Sequence, residues 1–133
     1  MKFLLDTNTC IIYMKGQNLR LKQKLESTLI QDIAVCSTVK AELFYGAMKS
    51  ANPKKNLMRQ QNFLSQFQSL PFDDISTLTF ATIRSQLEVV GTPIGAYDLQ
   101  IAAIALAHDL ILVTHNVREF SRIVDLKIED WEI

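Results

Sequence analysis

The sequence predicts an α/β protein: one domain over residues 1–133, with a mainly parallel central sheet and helices on both faces. Three observations carry that prediction. Short apolar runs at Phe3–Leu5, Ile33–Cys36 and Leu110–Val113 alternate with longer helical patterns. The run Ile33-Ala34-Val35-Cys36 is apolar without alternation, as a strand covered on both faces must be. A chain of 133 residues, 48% of them hydrophobic, suffices for one core and leaves little room for two.

The elements follow in order. Phe3–Leu5 forms a first buried strand. Asp6-Thr7-Asn8 supplies capping side chains for a helix through Ile11, Ile12 and Met14, which Gly16 ends. Residues 18–29 form a second helix on Leu19, Leu21, Leu25 and Leu29. After the strand Ile33–Cys36, Ser37-Thr38 caps a third helix reaching about Lys49. Asn52-Pro53 breaks the chain before a fourth helix, 54–68, carrying Leu57, Phe63, Leu64 and Phe67. Leu70-Pro71-Phe72 reads as a short strand, and Pro71 places it at an edge or a strand start. Residues 76–90 are helical up to Gly91 and Pro93, Tyr97–Ala107 is an Ala-rich helix, and Leu110–Val113 is a strand. Glu119-Phe120 sits on a short helical turn, and Val124–Ile128 forms a last extended piece.

Several function classes drop out. No apolar stretch approaches the ~20 residues of a membrane span; the longest, Ile101–Ala107, runs into His108 and Asp109. The N-terminal run Phe3-Leu4-Leu5 is too short for a secretion signal, so a cytoplasmic protein is expected. Cys10 and Cys36 then read as free buried thiols, and His108 and His115 do not complete a zinc site. The formal net charge is zero, yet residues 15–59 hold nine basic and three acidic side chains while 60–133 hold four and ten. Such a division offers one basic flank to a phosphate backbone, or simply a set of solvated helices.

The acidic residues fall where ligands bind. In open parallel sheets, sites lie outside the carboxyl ends of the strands. Asp6 directly follows the first strand, and Asn116 follows Val113 by three residues. Glu42 sits near the start of the helix leaving Cys36, on a face shared with Val39, Tyr45 and Gly46, so apolar neighbours are expected around it. Asp98 opens the Ala-rich helix on the side of Ile101, Ala102 and Ala105, which directs it toward the sheet. Singly, each acid has an ordinary explanation: a cap for Asp6, a solvated helix residue for Glu42, a helix-dipole partner for Asp98. Together they form a converging trio without a base nearby, since Lys40 lies on another side of its helix and Lys2 at the far end of the first strand. Unpaired buried carboxylates cost several kcal/mol each, by order of magnitude. A hard divalent cation, Mg²⁺ or Mn²⁺, would resolve that cost.

Five motifs in register carry a resemblance. Leu4-Leu5-Asp6-Thr7-Asn8, Ala41-Glu42-Leu43 with Tyr45-Gly46, Pro93-Ile94-Gly95-Ala96-Tyr97-Asp98, Val113-Thr114-His115-Asn116 with Arg118-Glu119-Phe120, and Glu129-Asp130-Trp131 resemble PIN-domain ribonucleases of the VapC toxin type. The resemblance spans essentially the whole chain. It implies a PIN-like fold and an endoribonuclease that cleaves RNA, often a structured RNA such as tRNA. It assigns metal binding and cleavage to Asp6, Glu42 and Asp98, with one or two Mg²⁺ ions that Mn²⁺ can replace. Thr7 and Thr114 become hydroxyls that orient the carboxylates. Asn116 stands where many PIN domains have a fourth Asp, which puts a second metal in question and makes Glu119 the expected substitute. A VapB-type antitoxin, a homodimer and a toxin–antitoxin hetero-oligomer are implied as partners.

Two other readings stay open at this point. A haloacid-dehalogenase-type phosphatase also begins with strand-then-Asp, but position 8 is Asn where that chemistry needs a second Asp. A non-catalytic RNA- or partner-binding module would account for Asn116.

Overall fold

The computed structural model describes residues 1–133. Five strands, β1 (Phe3–Leu5), β2 (Ile33–Cys36), β3 (Gln68–Leu70), β4 (Ile111–Val113) and β5 (Ile128–Glu129), form one sheet in the order β3-β2-β1-β4-β5. Every pair is parallel, so the mainly parallel sheet expected is entirely so. Seven helices connect the strands: α1 (Thr7–Lys15), α2 (Leu19–Ser27), α3 (Ser37–Met48), α4 (Pro53–Leu64), α5 (Asp74–Val90), α6 (Ala96–Ala107) and α7 (Val117–Phe120).

The chain steps outward from β1 to β2 and β3, then returns across the sheet to β4 and β5. Right-handed crossovers put the connections made before and after that reversal on opposite faces. The reversal also opens a crevice between the carboxyl ends of β1 and β4, the place where such sheets bind ligands.

The core explains the pattern of the sequence. Leu4, Leu5, all four residues of β2, Leu112 and Val113 are fully buried. From Ile101 onward helix α6 is apolar around its whole circumference and is accordingly interior, with Ile101 through Ala105 at 0% exposure. Each large side chain so buried contributes about 1.5–3 kcal/mol. Trp131 closes the far side, 5% exposed, its ring edge-on to Phe3 at 5.0 Å. Cys10 and Cys36 are free and buried, and burial raises both thiol pKa values, which keeps them protonated.

Four boundaries differ from expectation. Helix α4 ends at Leu64, and β3 occupies Gln68–Leu70 instead of Leu70–Phe72. Pro71 has no N–H for the ladder, so the strand stops before it. The exposed Gln68 and Ser69 carry no apolar signal because β3 is an edge. The last strand is Ile128–Glu129, not Val124–Ile128, because Asp125 adopts φ 68° and turns the chain first. Ser37 and Thr38 lie inside α3 and do not cap it; the cap position is Cys36, without a side-chain bond.

Candidate active site

Asp6 links β1 to α1. Its N–H donates to the Val113 carbonyl at 3.1 Å, so it is the last rung of the β1–β4 ladder. Its Oδ1 accepts the Thr9 N–H at 2.8 Å, capping α1. Thr9 is locked in turn, its hydroxyl donating to the Val113 carbonyl at 3.2 Å. Asp6 is only 5% exposed. Burial raises its pKa, while hydrogen bonds from Thr114 and Thr9 pull the other way and the Asp130 charge adds to the rise. The capping role and the place at the sheet edge therefore coexist in one side chain.

Glu42 comes from the second turn of α3 and is half-buried. The Thr7 hydroxyl donates to its Oε1 at 2.6 Å, a short bond of the kind a charged acceptor makes. Asp98 stands in the first turn of α6, half-buried. Its pKa is pushed up to about 6, by burial first and then by the charges of Glu42, Asp6 and Glu119. Four acids thus share one electrostatic neighbourhood at the crevice between β1 and β4.

Thr114 and Asn116 complete the edge. The Asn116 N–H donates to Thr114 Oγ1 at 3.0 Å, and Asn116 Nδ2 donates to Glu119 Oε2 at 3.0 Å. The amide at the position of the expected fourth acid therefore holds an acid from α7. None of Asp6, Glu42, Asp98 or Glu119 takes part in an ion pair. A set of carboxylate oxygens with no base to neutralise it fits a hard divalent cation better than zinc.

The trio does not form one closed ligand shell. The only three metal-ligating side chains with atoms all within 4.8 Å of one another are His115, Asp130 and Glu132. Like charges keep carboxylates apart, and the Thr7 and Thr9 bonds hold two of them in place. His115 Nδ1 lies 2.9 Å from Asp130 Oδ2, and that bond chiefly raises the His115 pKa. Sequence reasoning denied His115 a zinc site; in the structure the ring is hydrogen-bonded to Asp130. It missed Glu132, and it missed Thr9. Parallel pairing of β5 with β4 brings residues 130 and 132 to the edge where His115 stands, an approach no local spacing signals. Tyr45 also departs from expectation: it is 66% exposed and does not back Glu42 with apolar surface.

Residues 3–126 match the PIN domain. The chain is 38% identical over 131 residues to the tRNA(fMet)-specific endonuclease VapC of Salmonella typhimurium, covering 98% of each. It belongs to the PIN-domain family, in its VapC branch. The same PIN domain is similar to a chain in DNA-bound VapBC from Salmonella typhimurium, with TM-score 0.93 at 38% identity and 98% coverage of each chain. It is also similar to a chain in VapBC2 from Rickettsia felis bound to a DNA fragment from their promoter, with TM-score 0.89 at 35% identity, covering 98% of this chain and 99% of that one. The PIN match ends before β5, yet Trp131 beyond it is part of the core, so the VapC-type C-terminus is integral to this fold. No helix is long and apolar enough to cross a membrane.

Proposed function

We propose that this PIN domain is a Mg²⁺- or Mn²⁺-dependent endoribonuclease toxin acting in the cytoplasm on a structured RNA and held in check by a VapB-type antitoxin. The observation that carries the reading is the cluster of Asp6, Glu42, Asp98 and Glu119 at the sheet's reversal point, with Asp98 pushed up to about 6 and no basic partner for any of them. Its endonuclease class follows the VapC relatives, and an antitoxin partner follows the VapBC complexes it resembles.

Each side chain has a part. Asp6 and Asp98 would hold the cation, and Glu42 would complete the donor set or orient the attacking water. A bound Mg²⁺ or Mn²⁺ supplies positive charge against the phosphate and acidifies water. Thr7 fixes the Glu42 carboxylate through its 2.6 Å bond, and Thr114 and Thr9 hold that of Asp6. Glu119, steadied by Asn116, adds negative charge where a second ion would bind. Water attacks phosphorus and releases one proton to solvent, the P–O bond to the leaving ribose oxygen breaks, and that oxygen takes up a proton from solvent. We assign no step to His115 or His108. His108 Nε2 instead lies 3.1 Å from Asp73 Oδ2, a bond at the start of α5.

The initiator tRNA named for the Salmonella relative is the first substrate to try. Purified chain is incubated with initiator and elongator methionine tRNAs, with Mg²⁺ or with EDTA, and with and without its antitoxin. Discrete Mg²⁺-dependent products that the antitoxin suppresses support the reading. Intact RNA in every lane would leave a binding module as the better account.

A further inference from the structure

Beside the carboxylates, α3 and α6 enclose a pocket of about 420 Å³ that includes Thr38, Glu42, Tyr45, Lys49, Tyr97 and Gln100. It is of a size suited to a small ligand group. The geometry points to a nucleobase-binding pocket here, taking one unstacked base of the RNA next to the scissile phosphate. The inference rests on the ribonuclease reading above and adds a substrate contact to it.

The two tyrosines carry the argument. Tyr45 is 66% exposed on α3 and Tyr97 61% exposed on α6, so the two helices present a ring each toward solvent. The fold makes little use of them: neither pairs with another aromatic ring, neither hydroxyl hydrogen-bonds within the chain, and only Lys49 lies over one face of the Tyr45 ring. Aromatic faces left open beside a phosphate-processing site are what single-stranded nucleic acid stacks on.

Polar groups are arranged to match. Lys49 Nζ lies 4.8 Å from the Tyr45 ring centroid and enters no ion pair, so its charge is available to a phosphate flanking the base. The Thr38 hydroxyl donates to Gln100 Oε1 at 2.9 Å. That bond fixes the Gln100 amide and leaves its N–H donors for an acceptor on a base edge. Glu42 belongs both to the pocket and to the acid cluster. A phosphodiester held at the acids therefore brings a neighbouring base to the pocket. A protein strand would fill an apolar groove without needing a free cation, a fixed amide and two open rings.

The test is equilibrium binding of a short single-stranded RNA carrying one 2-aminopurine, in an Asp98→Asn background so that no cleavage intervenes. Stacking quenches the 2-aminopurine fluorescence. The expected result is quenching on binding, lost with Tyr45→Ala or Tyr97→Ala together with a roughly five- to hundredfold rise in Kd. Tyr45→Phe and Tyr97→Phe, which keep the ring, should retain both, and an RNA abasic at that position should bind the tyrosine-intact protein as weakly as the Ala variants bind the normal RNA. No quenching in the tyrosine-intact protein, or Ala variants with unchanged Kd, overturns the proposal. Ala variants that bind RNA normally but lose the antitoxin assign the pocket to protein and overturn it too. Failure of the ribonuclease reading looks different: base binding with no Mg²⁺-dependent cleavage when Asp98 is restored.

Discussion

The Thr7 hydroxyl donates to Glu42 Oε1 across 2.6 Å, joining the first residue of α1 to the second turn of α3. A carboxylate on a flexible stem is thereby held beside Asp6 and Asp98 by a group that carries no charge itself. Thr7→Val keeps the shape and removes the donor. Partners of this kind are worth about 10–100-fold in metal affinity or activity. The expected outcome is a loss in that range in Mg²⁺ affinity and in cleavage rate, with Thr7→Ser restoring most of it. Calorimetric Mg²⁺ titration and a gel assay read the two effects.

Asp98 sets a pH dependence. Its pKa is about 6 in the folded protein against 3.8 as a free side chain. Between those values the folded state keeps a proton that the unfolded chain releases. The stability from this group is therefore complete below about pH 4, falls as pH rises through the window, and is gone above about pH 6. In EDTA, raising the pH from about 4 to neutrality should lower the Tm more in wild type than in Asp98→Asn. Equal slopes in melting curves of the two proteins would contradict the assignment. With Mg²⁺ present, protons compete with the ion, and affinity should weaken as pH drops below about 6.

Much of this site was legible because its residues sit at punctuation points of the fold. Asp6 directly follows a strand, Asp98 opens an apolar helix, and Thr7 and Thr114 neighbour strand ends; a parallel sheet carries all such points to one edge. Gly16, at φ 71°, ended α1 where its sequence position indicated. What sequence spacing hid was anything made by distant pairing. Glu132 meets His115 only because β5 adds to β4, and β3 was misplaced by two residues because an edge strand exposing Gln68 and Ser69 shows no apolar run. Tyr45 misled for another reason: an aromatic residue on a helix is usually covered, and here it faces solvent.

Glu119 is the account's answer to Asn116. The amide donates to Glu119 Oε2 at 3.0 Å, so the acid is held near Asp98 and contributes to raising its pKa. Glu119→Gln should weaken Mg²⁺ binding several-fold and slow cleavage. If titration and turnover both match wild type, Glu119 has no part in the site.

A control separates chemistry from folding. Asp73 caps α5, its Oδ1 accepting the Ser76 N–H at 3.0 Å. Asp73→Ala should lower stability, as the loss of a cap does. Denaturant unfolding should register that loss while Mg²⁺ affinity stays at the wild-type value.

The most direct test of the central claim is cleavage of total RNA by antitoxin-free protein across a Mg²⁺ titration, beside EDTA and Asp98→Asn. The account predicts a few discrete products that appear with Mg²⁺ and vanish in both controls. Cleavage that persists in EDTA or in Asp98→Asn would show that the acid cluster is not where the RNA is cut.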